Sequence, residues 1–253
     1  MRKVHAVTLS LLLTGWVASS LYFFSLGKSS TLDSIVVQRV IDGDTLETKD
    51  GKVLRLANIN TPERGTYGYQ EAKEYLSQYQ NKTLKAHLLG SDKRGERSVA
   101  QLYTQKGQYL NLNMVQQGLA SKAWTESDEQ KEFARAEQEA IAAGRGLWKP
   151  SPYQECVKLT VNARDEVVTI KNTCNNVSFN GWWIKDESRE VYHFTNSFVS
   201  TLSLYTKKGT NTNSRVYWGK ANGTTIWNND ADTAYLFDNQ NRLVSAVMYG
   251  YPR

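Results

Sequence analysis

Two acids, one arginine and one glutamate lie within a short stretch of the 253-residue chain. Asp42 and Asp44 flank Gly43. Arg55 follows one predicted hairpin later, and Glu63 comes directly after a proline. Carboxylate and carbonyl oxygens suit a hard cation such as Ca²⁺, guanidinium groups match phosphate oxygens, and a glutamate can activate water. The combination predicts divalent-metal chemistry on a phosphate, although an isolated Asp-Gly-Asp is usually only a turn.

Three predicted strands position these side chains, at 35–40, 45–48 and 53–59. Gly43 is expected to adopt a backbone angle that other residues resist. Pro62 ends the third strand because it cannot donate to a ladder. Asp44 and Asn60 therefore lie at strand ends, and Glu63 follows on a loop that can point into the same cleft.

These motifs, in their order and spacing, resemble the staphylococcal-type thermonuclease family. They are Val40-Ile41-Asp42-Gly43-Asp44-Thr45, Leu54-Arg55-Leu56 and Asn60-Thr61-Pro62-Glu63, with similar segments at 93–103, 115–120 and 143–148. The resemblance covers about 33–149. It implies an α+β nuclease domain on a five-stranded, partly open oligonucleotide-binding barrel, the OB-fold.

The resemblance also implies a role for each matching residue. The implied assignments are Asp44, Asn60 and the backbone carbonyl of Thr61 as calcium ligands, Asp42 as an acid close to them, Arg55 and Arg97 as phosphate-binding groups, Glu63 as the base, and Trp124 as an aromatic against the nucleotide. Calcium is then the cofactor, and DNA and RNA are the substrates, cut at the P–O5′ bond. Core packing is the alternative for Trp124.

Two departures from the family pattern bear on these roles. Asn60 stands where the family usually has a second aspartate ligand. An ion pair at about 4 Å is worth roughly 4 kcal/mol at an effective dielectric near 20, so we expect weaker metal binding. Glu96 separates Gly95 from Arg97, where the family has glycine directly before arginine, and Arg94 is the alternative phosphate-binding residue.

The formal net charge of +6 is spread along the chain. Residues 33–149 carry 17 basic and 16 acidic side chains, so the nuclease-like part is not broadly basic. A nucleic-acid footprint must then be local. The candidate run is Lys82, Lys85, Lys93, Arg94 and Arg97, for which a solvated face is the alternative.

The remaining periodicity of 33–149 predicts helices and strands around the barrel. The expected helices are 68–80, 112–119 and 126–143, and the further expected strands are 82–89, 99–103 and 108–110.

The N-terminus predicts export or anchoring. Arg2 and Lys3 precede an uncharged stretch, 6–27, that is long enough to span a bilayer as a helix. An uncleaved membrane anchor is the preferred interpretation, with both folded domains outside the cytoplasm. The alternative is a signal cleaved near 17–20 and a secreted protein.

A linker at 150–155 leads into a region of different composition. Seven short strands are expected there, at 167–172, 181–185, 191–194, 203–205, 216–218, 234–238 and 244–249, and they favour an all-β sandwich. Segments 168–172, 181–186 and 226–236 resemble the lamin-tail family, which implies an immunoglobulin-like binding or attachment domain over 156–253.

Both cysteines lie in this second domain. If 159–162 turns back into 167–172, Cys156 and Cys174 fall almost opposite each other. An exported protein permits a disulfide there, and two free thiols are the alternative.

The sequence thus predicts a multi-domain chain: a segment at 1–32 for anchoring, a thermonuclease-like domain at 33–149 and a lamin-tail-like sandwich at 156–253. The predicted function is calcium-dependent, sugar-nonspecific endonuclease activity outside the cytoplasm. One alternative is a non-catalytic barrel that binds nucleic acid or protein, because Asn60 replaces an expected aspartate. Another is a surface-attachment protein led by the second domain.

Overall fold

A computed structural model describes residues 32–92, 95–123, 128–175, 177–195 and 200–251. The predicted anchor at 6–27 lies outside these ranges, as do Lys93, Arg94 and Trp124. Among the described residues, none of the helices combines the length and the apolar character that crossing a membrane requires.

A closed five-stranded barrel forms the first domain. The strands of this domain are β1 (Asp33–Asp42), β2 (Thr45–Thr48), β3 (Val53–Leu56), β4 (Ile59–Asn60), β5 (Thr83–Ser91), β6 (Ser98–Tyr103) and β7 (Ser121–Lys122). The barrel order is β1-β2-β3-β6-β5, and β3 and β6 run parallel. β4 and β7 form a separate two-stranded sheet. Alternating apolar residues such as Val37, Leu46, Leu54 and Leu102 fill the interior.

Three helices pack on this barrel: α1 (Tyr69–Ser77), α2 (Leu110–Gln116) and α3 (Gln130–Ala142). The predicted strand at 108–110 is wrong. Tyr109 forms an isolated bridge to Tyr103, and Leu110 already begins α2. A helical turn brings Leu110, Met114 and Val115 into the core together, which an extended segment could not do.

Gly43 is required for close approach rather than for an unusual backbone angle. Its φ is not in the left-handed region, contrary to expectation. A Cβ built on Gly43 would lie 2.7 Å from Thr61 Oγ1 and 3.0 Å from the Cβ of Ala72. The turn after β1 therefore packs directly against the segment that follows β4.

The second domain is a sandwich of two four-stranded sheets. Its strands are β8 (Val157–Asn162), β9 (Val167–Asn172), β10 (Trp183–Lys185), β11 (Val191–His193), β12 (Thr201–Lys207), β13 (Arg215–Lys220), β14 (Asp232–Phe237) and β15 (Leu243–Tyr249). One sheet has the order β11-β10-β14-β15 and the other β13-β12-β9-β8. β8 is paired with β9 along its whole length, so the described strands number one more than the seven expected.

The disulfide between Cys156 and Cys174 joins the chain just before β8 to the chain just after β9, with the two Cα atoms 5.2 Å apart. It therefore ties together the ends of a hairpin that the sheet already pairs.

Both faces of β14 are buried, and this joins the two domains. Ala234 and Leu236 point into the sandwich core, while Tyr235 and Phe237 point the other way. There they stack on Trp148, which follows α3, with ring centroids 5.1 and 6.2 Å apart. The described residues from Leu32 to Tyr251 consequently belong to one compact unit.

We predict that Trp148→Ala destabilises the whole unit. The side chain is 1% exposed, and removing a buried tryptophan costs about 3 to 5 kcal/mol. The free energy of unfolding from urea titration, followed by tryptophan fluorescence, measures this.

Trp148→Phe is the matched control. Nε1 of Trp148 has no hydrogen-bond partner among the described residues, so phenylalanine keeps a stacking ring and loses only an unpaired donor. Phenylalanine should retain most of the stability. Equal losses in the two variants would mean that the stack does not hold the domains together.

Candidate active site

Asp44 lies at the centre of the site, in the turn between β1 and β2. Its side chain is 1% exposed. Oδ1 accepts a hydrogen bond from Thr45 Oγ1 at 2.9 Å, and Oδ2 accepts one from the Thr61 amide at 3.3 Å. A buried carboxylate needs such donors. The close packing of Gly43 against Thr61 allows the Thr61 amide to reach Asp44. Asp42 instead stabilises the turn, because its Oδ1 accepts a hydrogen bond from the Gly43 amide.

Arg55 is the main cationic partner of Asp44. It projects from β3, whose register pairs Arg55 with Thr45, and its NH1 lies 2.8 Å from Asp44 Oδ2. The same guanidinium donates to the carbonyls of Leu56 and Ile59 at 3.1 and 3.0 Å. Burial lowers the pKa of Arg55, the charge of Asp44 opposes that shift, and the neighbouring arginines 189 and 97 add to it.

Asn60 uses both ends of its amide. Its Oδ1 accepts from Arg55 NH2 at 2.7 Å, and its Nδ2 donates to the carbonyl of Glu187 in the second domain at 2.6 Å. An aspartate could make the first contact but has no donor for the second. The asparagine therefore fits a site in which the second domain is docked.

Glu63 meets an arginine that sequence reasoning missed. Arg189 lies in the loop between β10 and β11, and its Nε is 2.7 Å from Glu63 Oε1. Its NH2 is 3.6 Å from Asp44 Oδ2. No sequence signal marks Arg189, because it is one charged residue in a polar hairpin loop of a domain expected to carry no chemistry.

Arg97 precedes β6 and donates through Nε to Asp92 Oδ2 at 2.7 Å. Its positive charge contributes to the lowering of the Arg55 pKa. The structure thus brings Asp44, Arg55, Asn60, Thr61 and Glu63 together, while Lys93, Arg94 and Trp124 lie outside the described residues.

A cleft of about 370 Å³ opens at this point between the two domains. Glu63 and Arg189 line it together with Asn60 and Thr61. Tyr67 and Trp183 contribute aromatic surface farther along. The cleft therefore joins the charged site to a surface on which a base or sugar can pack.

A buried charged network lies behind the cleft. Lys122 of β7 is 1% exposed and forms an ion pair with Glu187. It also lies 3.8 Å from Glu137 of α3 and 3.7 Å from the ring centre of Tyr251. Because β7 pairs with β4, this network fixes the strand that carries Asn60.

The donor types at the site fit a calcium ion. Calcium prefers hard oxygen ligands. Asp44 offers a carboxylate, Asn60 a side-chain amide oxygen and Thr61 a backbone carbonyl. Asp44 is the one carboxylate in that set, and its Oδ2 already faces Arg55 and Arg189. Among the described residues, no group of three or more His, Cys, Asp or Glu side chains could hold a metal.

The fold is a five-stranded barrel with a cluster of charged and polar side chains at its edge, joined to a β-sandwich. Comparison with known proteins agrees. Residues 53–150 match the model of staphylococcal nuclease homologues, and residues 154–251 match that of the lamin tail domain. The chain belongs to the staphylococcal nuclease homologue family and carries a lamin tail domain after the nuclease-type barrel.

Individual relatives are similar over the first domain. An uncharacterised endonuclease of Escherichia coli O157:H7 is 32% identical over 116 residues, which are 44% of this chain and 74% of that protein. A probable staphylococcal-like nuclease of Oryza sativa is 33% identical over 103 residues, 40% of this chain and 30% of that protein. An uncharacterised 38.1 kDa protein of Capnoides sempervirens is 35% identical over 99 residues, 39% of this chain and 28% of that protein.

We predict that Asn60→Asp destabilises the protein, although it restores the residue usual in the family. The variant loses the donor to the Glu187 carbonyl and places a charge against that oxygen. A buried acceptor left unpaired costs about 1 to 3 kcal/mol. Thermal unfolding of the full chain should show the loss.

Asn222→Asp is the control for this prediction, because Asn222 is exposed on the second domain. It should change the unfolding temperature little. If Asn60→Asp is as stable as wild type, the amide contact between the domains does not matter for stability.

We predict that the stability of the interface between the two domains depends on pH through the Glu137 carboxyl. It accepts a hydrogen bond from Tyr235 at 2.8 Å and is fully buried next to Lys122 and Glu187, and burial raises its pKa from 4.5 to about 7. The folded chain then binds the proton more tightly than the unfolded chain. This contribution to stability is present below the unfolded pKa and is lost as the pH rises through about 7.

Glu137→Gln should reduce the loss of stability between pH 5 and pH 8 by roughly 2 to 3 kcal/mol. Urea titrations of both proteins at the two pH values measure the difference. Burial also raises the pKa of Asp232 to about 7, so part of the dependence of stability on pH should remain in the variant. Glu132→Gln on the exposed side of α3 is the control, and an unchanged slope in Glu137→Gln would contradict the prediction.

Proposed function

We propose that this chain hydrolyses phosphodiester bonds in DNA and RNA. The cluster formed by Asp44, Arg55 and Asn60 next to Glu63, which lines the cleft, carries the proposal. The relatives named as nucleases support the reaction class, and the match of the barrel to staphylococcal nuclease homologues supports the substrate class. Contacts to the phosphate rather than to base edges are consistent with cleavage of many sequences.

Glu63 is the proposed general base. Its side chain is 47% exposed and lines the cleft, so it can reach a water molecule there. It accepts a proton from that water as the oxygen attacks phosphorus. The P–O5′ bond breaks, and the departing O5′ oxygen takes up a proton from solvent. Arg55 and Arg97 stabilise the negative charge that develops on the phosphate oxygens, Arg55 from its fixed place against Asp44.

Calcium is the proposed cofactor, held by Asp44, Asn60 and the Thr61 carbonyl. When bound, such a cation supplies positive charge next to the phosphate. With one carboxylate among three ligands, we expect weaker calcium binding than a site with two carboxylates would show.

We also propose that the folded unit works outside the cytoplasm. The apolar stretch at 6–27 supports export, with an anchor as the preferred form and a cleaved signal as the alternative. The Cys156–Cys174 disulfide is consistent with an oxidising compartment.

Glu63→Gln tests the reaction. The amide keeps the shape of the side chain but cannot accept the proton of water. We expect plasmid nicking to fall by at least about 10²-fold. The assay is run with calcium and with a chelator, and the chelator should stop cutting by the wild-type protein.

Glu71→Gln is the control, since Glu71 lies exposed on α1 and should leave nicking unchanged. Full activity in Glu63→Gln would remove Glu63 as the base. Nicking that persists in chelator would remove calcium from the proposal while leaving the hydrolysis in place.

A further inference from the structure

We propose that Arg189 of the lamin tail domain binds the phosphate that is cleaved, so that the second domain completes the active site. The inference rests on the proposed hydrolysis. It assigns a role in the reaction to a domain whose resemblance implies only binding or attachment.

Arg55 has little capacity left for a phosphate. A guanidinium has five N–H donors. The two on NH1 face the Leu56 carbonyl and Asp44 Oδ2, and the two on NH2 face the Ile59 carbonyl and Asn60 Oδ1. A bidentate grip on phosphate would require Arg55 to give up contacts that hold β3 and β4 in place. Its charge acts at the site, but most of its donors are already engaged.

Arg189 is the most accessible of the three arginines of the site. Its side chain is 43% exposed, against 13% for Arg55 and 27% for Arg97. Its partner Glu63 is also exposed, at 47%. An ion pair between exposed groups contributes little, so a phosphate can take over part of the guanidinium at small cost. Arg97, in contrast, is paired with Asp92, whose side chain is 11% exposed.

The position of Arg189 matches the chemistry. It touches Glu63, the proposed base, and Asp44, the proposed calcium ligand. It lines the interdomain cleft from the side opposite the barrel. A phosphate bound next to Glu63 would therefore contact the guanidinium of Arg189, which can stabilise charge on the equatorial oxygens.

The loop that carries Arg189 is held in place from both sides. Ser188 donates to Asp186 Oδ1 through both its amide and its hydroxyl, at 2.9 and 2.7 Å. Glu187 pairs with buried Lys122 and accepts from Asn60 through its carbonyl. A group fixed before substrate arrives needs no reorganisation during the reaction. If Arg189 only blocked the site, its loop would have to break this buried network to move away. The geometry therefore favours a role for Arg189 in binding phosphate over a blocking role.

Arg189→Ala in the full chain tests the inference. We expect kcat/KM on a single-stranded oligonucleotide to fall by about 10²-fold. Arg189→Lys keeps the charge without the bidentate geometry and should recover part of the loss. Arg215→Ala is the control, because Arg215 is exposed on the other sheet of the same domain.

Binding gives a readout that is independent of cleavage. In the Glu63→Gln background, fluorescence anisotropy of a labelled oligonucleotide is followed as a function of salt. Loss of one phosphate contact should weaken binding and reduce the slope of log K against log salt by about 0.7. Arg215→Ala should leave that slope unchanged.

The outcomes separate this inference from the proposed function. Faster cleavage by Arg189→Ala would overturn it, because Arg189 would then be a plug over the site. Unchanged cleavage and an unchanged salt slope would overturn it as well, while activity lost in Glu63→Gln would still support hydrolysis. If the wild-type chain cuts no nucleic acid but Arg189→Ala weakens binding with a smaller slope, the hydrolysis fails and the phosphate contact stands.

Discussion

The buried pair of Asp44 and Arg55 is the constraint on which the rest of the site depends. A carboxylate that is 1% exposed is tolerable only with full hydrogen bonding, and here Thr45, Thr61 and Arg55 supply it. The same requirement brings the turn after β1, strand β3 and the segment after β4 together. The geometry of the site therefore follows from satisfying one buried charge.

The hydrogen bonds of Arg55 connect the site to the second domain. Arg55 donates to Asn60, and Asn60 donates to the Glu187 carbonyl, so a chain of hydrogen bonds runs from the barrel into the sandwich. Lys122 of β7 and the Trp148 stack hold the same interface together. In the barrel alone, Asn60 looks like the replacement of a metal ligand. In the folded chain, it forms a contact between the two domains. The lamin tail domain therefore contributes residues to the site.

Local periodicity predicted most of the elements. The alternating pattern gave β2, β5 and β6 nearly to their ends, and the helical pattern gave α1 and α3. It failed where tertiary contacts decided the conformation. The segment 108–110 has a β-like composition, yet burial of Leu110 and Met114 draws the chain into α2. Strand β14 was expected, but burial of both its faces depends on Trp148, far away in sequence.

The sequence alone determined that acids, an arginine and a glutamate would meet, because Asp44, Arg55 and Glu63 lie on neighbouring strands and one loop, where the spacing is short and the ladder fixes it. Only the tertiary structure decided that Arg189 joins them, that Asn60 serves the interface, and that Gly43 is needed for space. These facts depend on how two separately patterned domains dock. No periodicity within either domain encodes which surface of one will cover the other, since docking is set by the shape and charge of side chains that are distant along the chain.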